Sequence, residues 1–123
     1  MTGEDEIYPE EIRYDRASRT LVVLFSDTVE REYTAEYLRV ESPSAEVKGH
    51  SASQRQWIGG KKDVGITGIE PVGNYAIRIL FDDGHDTGIF SWDYLLELDR
   101  ERDRLWSTYL EKIAERGLTR EGR

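Results

Sequence analysis

Two stretches of this 123-residue chain echo each other. Leu21-Val22-Val23-Leu24-Phe25-Ser26-Asp27 resembles Ile77-Arg78-Ile79-Leu80-Phe81-Asp82-Asp83 at a constant offset of 56. One residue later in register, Tyr33-Thr34-Ala35-Glu36-Tyr37-Leu38 resembles Phe90-Ser91-Trp92-Asp93-Tyr94-Leu95 at an offset of 57. Each copy reads as strand, acidic turn, strand and capped short helix. This is either one common unit used twice or a duplicated unit whose hairpins pair, with both short helices on one face. In both cases the class is α+β with antiparallel pairing: a small, mostly antiparallel sheet built from two strand–turn–strand–helix units, plus a C-terminal helix.

The elements follow from local chemistry. Residues 12–16 are short and mixed. Thr20 to Phe25 is rich in β-branched and apolar residues and reads as a buried strand. Val29 to Tyr33 alternates with a marginal apolar face, and Thr34 caps a helix through Leu38 with Glu36 at its positive end. Ser44 suits the cap of a single helical turn. Ile66 to Val72, interrupted by Gly68 and Pro71, Tyr75 to Phe81, and Gly88 to Phe90 read as strands, and Ser91 caps the next helix. Leu105, Trp106, Tyr109, Leu110 and Ile113 form one apolar stripe of a final helix, which Gly117 stops. Residues 1–7 read as a flexible acidic tail, 8–117 as one domain and 118–123 as a second tail.

The chain holds 25 acidic and 17 basic residues and no cysteine. Zero cysteine excludes disulfide scaffolds, thiolate zinc fingers, cysteine proteases and thiolate-held iron–sulfur clusters. No apolar run reaches the roughly 20 residues that span a bilayer, and no basic-then-apolar leader is seen. The expected location is cytoplasmic, with no membrane partner. The net charge of -8 opposes binding to nucleic acid. Between Glu46 and Asp63 the balance reverses: Lys48, Arg55, Lys61 and Lys62 stand with no carboxylate, and His50 and Trp57 lie among them. This stretch reads as a mobile loop or as an anion or partner contact, with Trp57 on the contact surface.

Autonomous catalysis finds little support. The two histidines lack the His-x-carboxylate spacing of an iron oxygenase site. No serine stands in a nucleophile elbow. Gly59-Gly60-Lys61-Lys62 lacks the leading glycine and the Ser or Thr of a phosphate loop. The string Asp82-Asp83-Gly84-His85-Asp86 reads as an exposed hairpin turn or as nitrogen and oxygen ligands for a divalent ion. The neighbouring carboxylates are expected to raise the pKa of His85 and to repel one another.

Three segments together carry a family resemblance: Glu41-Ser42-Pro43-Ser44-Ala45-Glu46-Val47-Lys48-Gly49-His50, Ile69-Glu70-Pro71-Val72-Gly73-Asn74-Tyr75-Ala76, and Phe81 through Trp92. They resemble the gamma-butyrobetaine hydroxylase-like N-terminal domain family, whose bacterial members include small stand-alone proteins of unassigned function. The same module precedes the catalytic domain of carnitine-biosynthesis oxygenases and is attached to some Mrp-type iron–sulfur ATPases. In the oxygenases it holds zinc through three Cys and one His. The resemblance places those ligands at Ser42, Ser44, Val47 and His85, of which His85 alone is retained. It therefore implies a non-catalytic accessory or interaction module without the Cys3His zinc site. No cofactor is expected, and the partner is a protein, an oxygenase or a Mrp-type ATPase. Its contact surface would include Ser42, Ser44, His50, Trp57, Asp82, Asp83, His85 and Asp86. The alternative is a metal-binding or iron–sulfur-assembly accessory using His50, His85 and Asp83, or a subunit of a separate oxygenase.

Overall fold

The structure is a computed structural model that describes residues 6–49 and 52–121. The chain forms β1 (Pro9–Asp15), β2 (Thr20–Phe25), β3 (Glu30–Thr34), α1 (Ala35–Val40), α2 (Ala45–Lys48), a 3-10 turn (Ala52–Gln54), β4 (Ile66–Val72), β5 (Ala76–Phe81), β6 (Ile89–Ser91), α3 (Trp92–Arg100) and α4 (Arg102–Glu115). The class is α+β, as the sequence indicates, with the strands divided between two antiparallel sheets of order β1-β2-β3 and β4-β5-β6. No helix among the described residues is long and apolar enough to cross a membrane.

The repeat is wider than the sequence reading, because each unit also opens with a strand. Both opening strands carry a register shift, at Pro9/Glu11 and at Ile66/Gly68, again 57 positions apart. Both hairpin turns close the same way. Phe25 N donates to Val29 O and Thr28 N to Phe25 O; Phe81 N donates to His85 O and Gly84 N to Phe81 O. The turn needs a positive φ, which Thr28 adopts at 68° and Gly84 at 92°. Glycine takes this region without steric cost, whereas the β-branched threonine is strained there. Both helices that follow are capped by a hydroxyl, Thr34 Oγ1 accepting from Tyr37 N and Ser91 Oγ from Tyr94 N, each at 3.1 Å.

The central strands supply matching core faces, Leu21, Val23 and Phe25 in one unit and Ile77, Ile79 and Phe81 in the other, within one cluster that also holds Tyr33, Leu38, Phe90, Leu95 and Leu98. The units are tied by a reciprocal exchange. Tyr37 on α1 donates to Leu98 O near the end of α3 at 2.6 Å. Tyr94 on α3 donates to Glu41 O at the end of α1 at 2.5 Å. Both donors and both acceptors are related by the same offset of 57. Burial raises the pKa of both phenols, so they remain donors across the physiological range.

The final helix packs Leu105 and Trp106 on this core, while Tyr109 and Ile113 join Val40 in a second cluster with Trp57, Ile58 and Leu118. Leu110, read as part of the stripe, is exposed. Residues 118–121, read as a tail, are docked: Gly60 N donates to Thr119 O, Lys62 N to Arg120 O, and Arg120 forms a two-armed pair with Glu36 at 2.7 and 2.9 Å. The basic segment read as a mobile loop is held by Gln56 N to Val47 O and by the Tyr109 hydroxyl to Ile58 O.

Because each crossing hydroxyl leaves a buried carbonyl unpaired when removed, Tyr37→Phe and Tyr94→Phe should each cost about 1–2 kcal/mol. Urea unfolding should show a lower midpoint at an unchanged slope for both. A loss confined to one of the two would contradict their equivalence.

Candidate functional site

Two loops meet beside the second hairpin turn: the α1–α2 connection carrying Ser42 and Ser44, and residues 83–88. Ser44 caps α2, with its hydroxyl accepting from Glu46 N at 3.1 Å. That cap fixes the turn and aims Glu46 at the opposite loop. His85 Nδ1 lies 3.0 Å from Glu46 Oε1, and His85 Nε2 lies 2.9 Å from Ser42 Oγ. The partners assign the tautomer: Nδ1 carries the proton towards the carboxylate, and Nε2 accepts from the Ser42 hydroxyl. Thr87 Oγ1 donates to Glu46 Oε1 at 3.2 Å, so Ser44 Oγ donates to Thr87 at 2.7 Å. Ser44 N in turn donates to Ser42 Oγ at 3.3 Å. Ser42, His85, Glu46, Thr87 and Ser44 thus form a closed hydrogen-bonded ring. Gly88 completes it, since a Cβ there would collide with Ser42 Oγ.

Ser42 is fully buried and His85 is 6% exposed. The sequence reading of an exposed turn is corrected on this point, and so is the expected pKa. Burial first, and then the Arg39 guanidinium, hold His85 below its ordinary value, although Glu46 and Asp83 pull the other way. Asp83 is also not a repelled carboxylate. It accepts from His85 N at 3.0 Å and pairs with Lys61 at 2.6 Å and Arg39 at 2.8 Å. Burial alone would raise its pKa; the Lys61 ammonium, the His85 amide and Arg39 outweigh that and hold it at about 2.

The basic segment supplies counter-ions. Glu41, 1% exposed, faces Lys48 at 2.8 Å and Arg55 at 3.3 Å. Burial lowers the pKa of Lys48 and the Glu41 charge supports it. The Arg55 guanidinium also lies 3.9 Å from the Trp57 ring centre, so this half-buried ring is covered from one side. Lys62 faces Glu121 at 3.4 Å.

Of the residues singled out in the sequence, Ser42, Ser44, Asp83 and His85 converge. Asp82 and Asp86 are exposed on the turn, with Asp86 3.9 Å from Arg78. His50 lies outside the described residues. Glu46, Thr87 and Gly88 lie within the resemblance segments and Lys61 in the basic stretch, but neither they nor Arg39 were assigned to the site, because each meets its partner across about twenty or more residues of chain, between the 39–46 or 61 segment and the 83–88 loop.

The donor set does not fit zinc. Two of the positions offer neutral hydroxyls, Val47 offers an aliphatic side chain buried at 2% exposure, and both nitrogens of His85 are engaged. A divalent ion at His85 and Asp83 would have to displace Arg39 and Lys61. Among the described residues no group of three or more His, Asp or Glu is placed to hold a metal.

Two units of three antiparallel strands and a capped helix, exchanging tyrosine hydroxyls around one core, define the class of this domain. Residues 12–96 match the family described as gamma-butyrobetaine hydroxylase-like, N-terminal, and the chain belongs to that family. It is similar to two proteins of known solution structure. One is 44% identical, with a TM-score of 0.78, 93% of this chain and 90% of the other covered. The other is 38% identical, with a TM-score of 0.81 and coverage of 98% and 89%. It is also similar to a protein of unknown function of the DUF971 family from Acidithiobacillus ferrooxidans, seen in a crystal structure, at 42% identity, a TM-score of 0.63 and coverage of 74% and 91%. Comparison with curated proteins gives no match.

These contacts set the acid response. The unfolded chain protonates His85 at its ordinary 6.5, and the folded chain resists that proton. Stability is therefore full above that pH and falls as the pH drops towards the lowered folded value. Asp83 adds a second loss between 3.8 and about 2. His85→Ala should cost about 2–3 kcal/mol at neutral pH and flatten the upper part of the curve. Asp83→Ala should cost about 2 kcal/mol by stranding Arg39 and Lys61. Denaturant midpoints between pH 7 and 2 check both; an unchanged midpoint for His85→Ala would mean the ring is not holding the loops together.

Proposed function

We propose that this chain is a non-catalytic accessory module that acts by binding another protein, and that three of the four positions aligned with the zinc ligands of its relatives, Ser42, Ser44 and His85, serve here as a hydrogen-bonded lock. The observation that carries this reading is the closed ring at Ser42. A serine, histidine and glutamate in this order have the connectivity of a catalytic triad. Catalysis, however, needs a substrate carbonyl about 3 Å from the nucleophile and donors for the oxyanion. Ser42 has no exposed surface, its oxygen already accepts from Ser44 N, and the Gly88 backbone is packed against it. The lock holds two loops; it leaves no room for a substrate.

The partner is a protein, and the family resemblance favours a separate oxygenase or a Mrp-type iron–sulfur ATPase. The acidic net charge of -8 weighs against nucleic acid. The surface left to such a partner excludes Ser42, Ser44 and His85 as direct contacts, because their side chains are turned inward.

Three measurements test the absence of a zinc site and of an activated serine, and a fourth tests the partner. The thermal midpoint should be the same with and without chelator, and protein purified in zinc-containing buffer should carry less than stoichiometric metal. A fluorophosphonate probe, which labels activated serines, should leave the protein unmodified. Labelling at Ser42, or a tightly held zinc whose removal lowers the midpoint, would overturn the reading. Co-elution with a purified oxygenase or ATPase of the two kinds above would then identify the partner class.

A further inference from the structure

We infer that the cleft between the N-terminal segment, the β4–β5 turn and the start of α3 is a docking groove for an extended partner segment in which arginine or lysine alternates with apolar residues. This deepens the binding role proposed above and rests on it.

The cleft encloses about 660 Å³, within the range of pockets that take a small ligand or a few side chains. Its walls include Tyr8, Tyr75, Trp92 and Leu96. Tyr75 and Tyr8, at 56% and 51%, are the most exposed large apolar side chains among the described residues, and they share this one cleft. Their backbones are nevertheless fixed. Tyr8 exchanges bonds with Ser26, its N–H donating to Oγ at 3.2 Å and its carbonyl accepting from Ser26 N at 2.8 Å. The turn bearing Tyr75 is bound to α3 twice: Trp92 N donates to Tyr75 O at 3.0 Å and Trp92 Nε1 to Asn74 O at 2.9 Å. Rings held out into water on a tethered backbone lose little freedom when covered, and tyrosine and tryptophan are the side chains that most often anchor interfaces.

Charge selects the occupant. The lining carries two carboxylates, Glu6 and Asp93, and no basic residue. Aromatic faces beside carboxylates suit a guanidinium or ammonium, which gains from both. An anion is disfavoured, since Asp93 offsets the positive end of α3 and the amides of Trp92 and Tyr94 are already used. A second copy is also disfavoured, because each chain carries a net charge of -8 and would bring an equally acidic rim.

The test titrates the full isotope-labelled chain with three blocked peptides of one length. They share tyrosine and leucine positions and carry arginine, glutamine or glutamate at the rest. The arginine peptide should shift the Trp92 indole resonance and the amides of Tyr75 and Asp93 saturably, and salt should weaken it. Tyr75→Ser and Asp93→Asn, both at exposed positions, should each weaken it by about five- to tenfold while the spectrum remains that of the folded protein. Equal binding of the glutamine or glutamate peptide overturns the inference, as does the absence of any shift at millimolar arginine peptide. Shifts that grow with protein concentration alone would assign the cleft to a second copy and likewise overturn it. Arginine-peptide shifts centred on Asp82 and Asp86 would remove this cleft while leaving the binding role intact.

Discussion

The exchange of tyrosine hydroxyls between the two units is the constraint on which the rest of the structure depends. A three-stranded sheet with one short helix encloses too little apolar area to stand alone. Each unit also ends its helix with carbonyls that have no partner within the helix. Tyr37 and Tyr94 meet both needs at once: the ring fills the shared core and the hydroxyl satisfies the other unit's helix end. Sliding one unit against the other by even one residue would strand two buried donors and two buried acceptors together. The pair therefore fixes the register of the units as well as holding them.

Against this near-symmetry, the site stands where the units differ. Arg31 at the edge of the first unit reaches Asp99 in the last turn of α3 at 3.3 Å and also pairs with Asp27 at 3.0 Å. The positions 57 further and 57 back are Gly88 and Ser42. The same crossing contact is thus an arginine–carboxylate bridge on one side and a close glycine–serine approach on the other. Replacing the long side chain by glycine opens the volume into which Ser42 and His85 fit. Asp27 and Asp83 keep the same turn role, each accepting from the amide two residues on, at 3.1 and 3.0 Å. Only the cations that neutralise them changed, from Arg31 to Arg39 and Lys61.

What the sequence made legible is what short-range chemistry controls. The hydroxyl caps at Thr34, Ser44 and Ser91, the stop at Gly117 and the two apolar central strands all follow from neighbours within a turn or two. The opening strand β1 was obscured because it is an edge strand whose consecutive exposed residues Glu10 and Glu11, at the register shift, break the apolar alternation. The character of Asp82-Asp83-Gly84-His85-Asp86 was misread for a different reason. Its composition is that of a solvated turn, and four of its five residues are exposed, yet Ser42 buries the His85 ring and Arg39 and Lys61, each more than twenty residues away, hold the Asp83 carboxylate. The resemblance to a zinc-binding family did bring Ser42, Ser44 and His85 to one place, but what joins them is decided by Glu46 and Thr87, to which the motif segments that contain them assign no role.

The distribution of charge follows from the same long-range contacts. A stretch with four cations and no carboxylate looks, in sequence, like a surface for anions. Folding directs Lys48 and Arg55 to Glu41, Lys61 to Asp83 and Lys62 to Glu121. Desolvating a carboxylate as deeply buried as Glu41 is costly unless cations accompany it. The basic stretch is therefore the electrostatic counterpart of the domain's interior, and its charge is largely spent before any partner arrives. What remains for long-range attraction is the unbalanced acidity of the chain. An approaching partner thus meets negative potential at the aromatic cleft rimmed by Glu6 and Asp93, and basic segments are steered towards it while polyanions are turned away.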